Sequence, residues 1–267
     1  MMLKKITILG GSDKDGAAEK VRRLDIQAGQ VLSVVGPTGS GKTQLIADVE
    51  QYAEEETLTG RSILVNGQPV DKDRHKSSLR YMVAQVSQNM HFVIDMSIED
   101  FLLMHAQVRA IDDPAKTIKD VLSIANRLSG EPISLQMNLT RLSGGQSRAL
   151  MVADVALISN SPVVLIDEIE NAGINRLEAL HILTGRGKIV LVVSHDPTLI
   201  LMAGERVVMK NGGMHKVFKT APEEKQILEN LIEIDKEFVS LREKLRYGKS
   251  VGVAGSNKEG VALWPKF

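Results

Sequence analysis

The chain contains no cysteine. That excludes disulfides, thiolate metal sites and a cysteine nucleophile, and it fits a reducing compartment. Aromatic residues are scarce, 3% of the 267 positions with a single tryptophan. No charge of one sign is in surplus. Lys plus Arg number 33 and Asp plus Glu 33, so nothing in the net charge calls for nucleic acid or an anionic membrane as partner. No run approaches the ~18 apolar residues a membrane helix needs. The opening "MMLKKITILGGSDKDG" has an apolar stretch too short for a signal-peptide core and breaks into Gly and Asp. The expectation is a cytoplasmic chain, or one peripheral to the inner face of the cell membrane.

What is present is ordinary globular material, 43% hydrophobic and 25% charged. Short β-branched runs, "VLSVV" (31–35), "YMVA" (81–84), "VVLI" (163–166) and "IVLVV" (189–193), alternate with helical patterns from Lys42 and from Ile98. Continuous apolar runs of that length suit a parallel sheet covered on both faces, the grammar of an α/β domain. "RVVMKNGGMHKVF" (206–218) reads as a hairpin turning at Asn211-Gly212-Gly213. Residues from about 90 to 142 offer no strand and predict an inserted helical lobe (about 90–160). Past Pro222, Leu231, Ile234, Phe238, Leu241 and Leu245 recur every three or four positions, a short heptad seam on a charged helix. It serves packing on its own domain or contact with a partner. The organisation expected is a domain over 1–221, an amphipathic helix over 222–246 and a mobile tail over 247–267.

"GPTGSGKT", residues 36–43, matches G-x-x-x-x-G-K-[ST] between a strand and a helix, the context that motif requires. Gly36, Gly39 and Gly41 let the backbone fold tightly so that N–H groups converge on a phosphate, with the helix N-terminus adding partial positive charge. Pro37, Thr38, Ser40 and Gln44 complete the loop and first turn. Lys42 can reach β- and γ-phosphates and Thr43 offers a hydroxyl to Mg²⁺. In "VVLIDEIENAGIN" (163–175) an apolar strand runs into Asp167 and Glu168, and buried carboxylates require a cation, a proton or water beside them. Asp167 ends a strand that can lie beside the phosphate-loop strand and hold Mg²⁺. Glu168 can polarise the water that attacks the γ-phosphate.

"LSGGQ" (142–146) stands between these two motifs. Phosphate loop, LSGGQ and apolar strand ending in Asp-Glu, in that order, resemble the ATP-binding cassette (ABC) ATPases over roughly residues 4–216. The resemblance implies a P-loop α/β domain with a mostly parallel core sheet, a helical lobe and, here, a C-terminal helical extension. It implies two cassettes sandwiching two ATP molecules head to tail, with Ser143, Gly144, Gly145 and Gln146 of one subunit completing the phosphate site of the other. By the same resemblance Gln88 joins the core to the lobe and contacts Mg²⁺, with Gln85 as the alternative. His195 after the strand 189–193 is the switch histidine.

The chain departs from the transporter pattern at four places. Ile169, not Pro, follows the catalytic Glu168. The turn "NAGIN" has an extra residue, so that Asn175 takes the place of an Asp. In the signature helix Arg148 is shifted by one position and Asp154 stands where Arg is common. The segment before the phosphate loop has no aromatic ring to stack on adenine, so Val21, Arg22 or Arg23 would meet the base and discrimination among nucleotides would be weak. The implied function is an ATPase that couples hydrolysis to motion in a partner, as the ATP-binding subunit of a transporter with a membrane permease. The alternative is a soluble cassette acting on a protein client in remodelling or cofactor maturation. A nucleic-acid-linked or purely regulatory cassette is disfavoured by the balanced charge.

Overall fold

The structure is a computed structural model and describes residues 3–70, 82–87, 90–167 and 174–250. Its centre is a six-stranded sheet in the order β10-β9-β3-β8-β7-β6, built from Val31–Val35 (β3), Val83–Ser87 (β6), Val163–Asp167 (β7), Ile189–Val193 (β8), Glu205–Lys210 (β9) and Gly213–Lys219 (β10). All neighbours pair in parallel except β9 and β10, the hairpin, which turns at Asn211 and Gly212 in left-handed conformations.

The apolar runs are continuous because both faces are covered. In β7, Val163 and Leu165 join one core while Val164 and Ile166 join the other; β8 divides the same way. One face is packed by helix α1 (Lys42–Glu50) and by a separate antiparallel sheet, β2-β1-β4-β5, of Arg23–Gln27 (β2), Lys5–Leu9 (β1), Ser62–Val65 (β4) and Gln68–Pro69 (β5). The opposite face carries α2 (Ile98–Val108), α3 (Pro114–Ser129), α4 (Gly144–Leu157), α5 (Arg176–Gly185) and α6 (Pro197–Met202). Helix α7, Pro222–Arg246, runs on past β10 and packs on α6.

Two details differ from the sequence reading. The strand expected at 81–84 lies at Val83–Ser87 instead, because Gln85 and Ser87 take ladder positions opposite Leu165 and Asp167; pairing, not hydrophobicity alone, sets its end. The antiparallel sheet was not anticipated, although Arg23–Gln27 alternates outward Arg23 and Gln27 with inward Leu24 and Ile26. The heptad row on α7 is not buried against its own domain along its length: Ile234, Phe238 and Leu245 remain 46, 54 and 59% exposed.

Candidate functional site

Strands β3, β8, β7 and β6 are parallel, so their carboxyl ends share one edge, where ligands bind in open α/β sheets. Val34 is opposite Val193, Val193 opposite Asp167, and Asp167 opposite Ser87. The phosphate loop leaves β3, His195 follows β8, and Asp167 ends β7. Asp167 does not lie on the strand beside β3, as expected; β8 intervenes, placing β7 roughly 10 Å from β3 at two strand spacings. The wholly buried β8 takes that central place and brings exposed His195 between loop and carboxylate. Glu168 and Gln88, expected at this edge, lie outside the described residues. Gln85, the alternative to Gln88, lies within β6 with its Cα opposite Leu165.

The loop is shaped by its glycines. Gly36, Gly39 and Gly41 have φ of 151°, 76° and 98°, a region that favours glycine. A Cβ on Gly36 would lie 2.5 Å from the Met209 carbonyl oxygen, and one on Gly41 would lie 2.7 Å from Cα of Gly212. The Ser40 N–H donates to Pro37 O over 3.1 Å, and α1 starts at Lys42 behind Gly41 with no side-chain cap. The first-turn N–H groups are therefore left for a ligand. Pro37, Thr38 and Thr43 are exposed. Lys42 Nζ donates to Gly36 O at 2.8 Å and Pro37 O at 3.2 Å, folded onto its own loop. Ser40 Oγ is buried without a protein partner, the orphaned polar atom expected where a polar ligand belongs. The side chain of Gln44 is directed elsewhere, Nε2 donating to Asp48 Oδ1 at 3.2 Å, so only its backbone remains available to phosphate.

Two clamps hold the loop from outside. Gly212 N–H, in the β9–β10 turn, donates to Ser40 O over 2.9 Å. Beneath α1, Arg61 is fully buried between two carboxylates: Nε donates to Glu19 Oε1 at 3.0 Å, Nη1 to Asp48 Oδ2 at 2.8 Å, and Nη2 to Gly212 O at 2.8 Å. Glu19 Oε1 also accepts from Met214 N–H at 2.8 Å. Sequence inspection gave no sign of this network, since its members are 13 to 195 residues apart.

The signature forms the N-terminus of α4. Ser143 is its N-cap in a capping box: Ser143 Oγ accepts from Gln146 N–H at 3.2 Å and Gln146 Oε1 accepts from Ser143 N–H at 2.9 Å. Gln146 Nε2 donates to Pro132 O at 3.0 Å. Gln146 is thus turned into the fold rather than toward a nucleotide, and exposed Ser143 with the N–H groups of Gly144 and Gly145 forms the presented surface. Ser143 Oγ donates to Glu131 Oε2 at 3.1 Å, and Arg246 of α7 pairs with the same carboxylate. The Arg246 guanidinium, and then the Ser143 hydroxyl, hold Glu131 below the usual carboxylate range.

The departures in sequence have local causes. Asp154 pairs with His105 Nδ1 of α2 at 2.7 Å, tying two lobe helices. The buried Arg148 guanidinium lies under Gly144, Nη1 3.1 Å from where a Cβ would be. Asn175 caps α5, its side chain accepting from Glu178 N–H at 3.1 Å. Of the residues expected to meet the base, Arg23 is paired with Asp25 at 2.9 Å and Val21 packs into the core with its N–H on Met214 O. Arg22 is exposed. The side chain that this segment delivers to the phosphate loop is Lys14, whose Nζ donates to Gly39 O at 2.8 Å.

The residues present fit Mg²⁺ with a nucleotide: a hydroxyl at Thr43 and a carboxylate at Asp167 on the loop's edge. Among the described residues no group of three or more His, Asp or Glu gathers as a cage.

Comparison with known proteins agrees with this geometry. The chain is 53% identical over 249 residues to an uncharacterized ABC transporter ATP-binding protein of Methanocaldococcus jannaschii, covering 93% of this chain and 95% of that one. It is 31% identical over 215 residues to an ATP-dependent lipid A-core flippase of Hahella chejuensis, covering 77% of this chain but 36% of the flippase. The fold is shared with cbiO1 of Clostridium perfringens, part of the transporter complex cbiONQ, at TM-score 0.62 and 19% identity over 91% of this chain and 97% of that one. It is also shared with the ATP-binding cassette MJ0796, solved as a post-hydrolysis dimer with ADP and Pi, at TM-score 0.59 and 18% identity over 81% and 99%. The family described as ABC transporter matches residues 20–171, and the chain therefore belongs to the ATP-binding cassette ATPases.

Proposed function

We propose that the protein binds Mg-ATP between two copies of itself, head to tail, and couples hydrolysis to movement of a membrane permease. The carrying observation is the division of the site: the phosphate loop, Asp167 and His195 share the sheet edge, whereas the exposed Ser143 sits at the start of α4, which packs on the sheet face opposite to α1. One copy supplies the cradle and the other the signature.

In this reading the N–H groups of Gly39, Gly41, Lys42 and Thr43 and the Lys42 ammonium neutralise the β- and γ-phosphates. Thr43 and Asp167, with Gln88 as a further ligand, hold Mg²⁺, which supplies charge neutralisation of the phosphates. Glu168 accepts a proton from the attacking water, and His195 orients the γ-phosphate. Ser143, Gly144 and Gly145 of the facing subunit donate to the same phosphate. Among the described residues no helix is long and apolar enough to cross a membrane. The permease is proposed as a separate chain on the strength of the relatedness to a transporter ATP-binding protein of similar length, with this subunit peripheral on the membrane's inner face. The proposed division of the chain is the ATPase domain over 1–221, the helix over 222–246 as an extension, and the tail beyond it.

Lys42→Ala tests the reading. It removes the one mobile cation inside the loop, and equilibrium binding of Mg-ATP together with phosphate release should be abolished. Wild-type hydrolysis by the variant would refute the assignment.

A further inference from the structure

We propose that Lys14 is a second nucleotide-binding cation, its ammonium taking an oxygen of the phosphate chain at the rim of the loop. This rests on the nucleotide reading above and extends it to a segment that no motif marks.

Lys14 is exposed, yet its position is built. Asp13 Oδ1 accepts from the N–H groups of Asp15 and Ala17 at 3.0 and 2.9 Å, and Asp13 N–H donates to Ala17 O at 2.8 Å, closing a tight turn around it. Lys14 N–H donates to Asn211 O at 2.9 Å, and Asn211 Nδ2 returns to Asp15 Oδ2 at 2.7 Å. The lysine stem lies across Gly212, where a Cβ would meet Lys14 Cγ at 2.8 Å. Gly212 itself is bonded to Ser40 of the loop. The turn, the hairpin and the loop thus form one unit whose charged product is an ammonium 2.8 Å from Gly39 O.

A single solvent-exposed bond to a neutral carbonyl gains no more than the rotamer freedom a lysine loses when fixed. A polyanion in the loop changes that balance, since a charge-assisted bond is about twice as strong. Lys42 shows the same arrangement, its ammonium on Gly36 O and Pro37 O. Both cations rest on carbonyls of the same phosphate loop.

Lys14→Met keeps the stem on Gly212 and removes the charge. Affinity for ATP, ADP and inorganic tripolyphosphate should each fall roughly tenfold, the size of one charge-assisted bond, while Lys14→Arg retains binding. Unchanged affinities overturn the proposal. So does a loss confined to the nucleosides' phosphates and absent for tripolyphosphate, which would put the contact on ribose or base. Should Lys14→Met fold poorly, amine acylation of the wild-type protein, read by mass spectrometry, decides. Mg-ATP should protect both Lys42 and Lys14. Protection of Lys42 alone overturns this inference, and protection of neither overturns the nucleotide reading with it.

Discussion

Nη1 of Arg61 donates to Oδ2 of Asp48 across 2.8 Å, and neither side chain is exposed to solvent. Asp48 belongs to the helix behind the phosphate loop, so this pair fixes that helix to β4's approach. Breaking a buried pair from one side strands a charge and typically destabilises by ~3–5 kcal/mol. Arg61→Met leaves both Glu19 and Asp48 without their cation. It should lower the unfolding free energy from urea titration by that amount, shifting the midpoint down accordingly, and weaken nucleotide binding through loss of the Gly212 contact. A midpoint within error of wild type would show that the network is not structural.

Lys188 provides a pH signature. Its Nζ donates to Ser159 O at 3.0 Å and Ser161 O at 2.7 Å, and burial pushes the ammonium down to about 8, opposed by Asp154. The unfolded chain keeps this proton until about 10.5, so between about 8 and 10.5 the unfolded state binds more protons and stability rises with pH. Below 8 both states are charged and the contribution is flat. Across the window the gain is on the order of 3 kcal/mol. Denaturation midpoints of wild type minus Lys188→Met, measured at pH 7.5 and pH 10, should increase with pH; a flat difference would contradict the assignment.

In the proposed mechanism, Glu168→Gln keeps shape and removes the charge that would draw a proton from water. A lost general base typically lowers rate by ~10²–10⁴, while Lys42, Thr43 and Asp167 would still hold Mg-ATP. The variant should run as a dimer on size exclusion with Mg-ATP and as a monomer with ADP. Adding Ser143→Arg to it should abolish the dimer but spare nucleotide binding. Hydrolysis at the wild-type rate by Glu168→Gln would move the base elsewhere, with His195 examined next.

What could be read from the sequence was local chemistry. The phosphate loop follows β3 and opens α1 because Gly36, Gly39 and Gly41 permit a turn that few other residues adopt, a requirement visible in eight letters. The buried strands β7 and β8 were visible because a two-faced environment demands uninterrupted Val, Ile and Leu. What could not be read was relative placement. The apolar runs of β7 and β8 are equivalent as strings, so their order beside β3 was open, and the interposition of β8 is set by crossover and packing. Gln146 reads as part of a ligand motif, yet its amide closes a capping box, a role that depends on the helix starting at Gly144. Lys14 is one lysine among many in sequence; only the meeting of residues 13–17 with Asn211 and Gly212 sets it at the loop.

The contact between Ser40 O and Gly212 N–H spans most of the polypeptide, and this gives the nucleotide pocket a date of completion. During synthesis the chain emerges from its N-terminus, so the eight residues of the loop leave the ribosome long before the turn that closes on them. A nascent chain that ends at β8 already carries the loop, its helix and Arg61, yet lacks both Gly212 and Met214. Maturation of the cradle therefore waits for the last hairpin. A truncation before Gly212 removes part of the pocket wall, not a dispensable end.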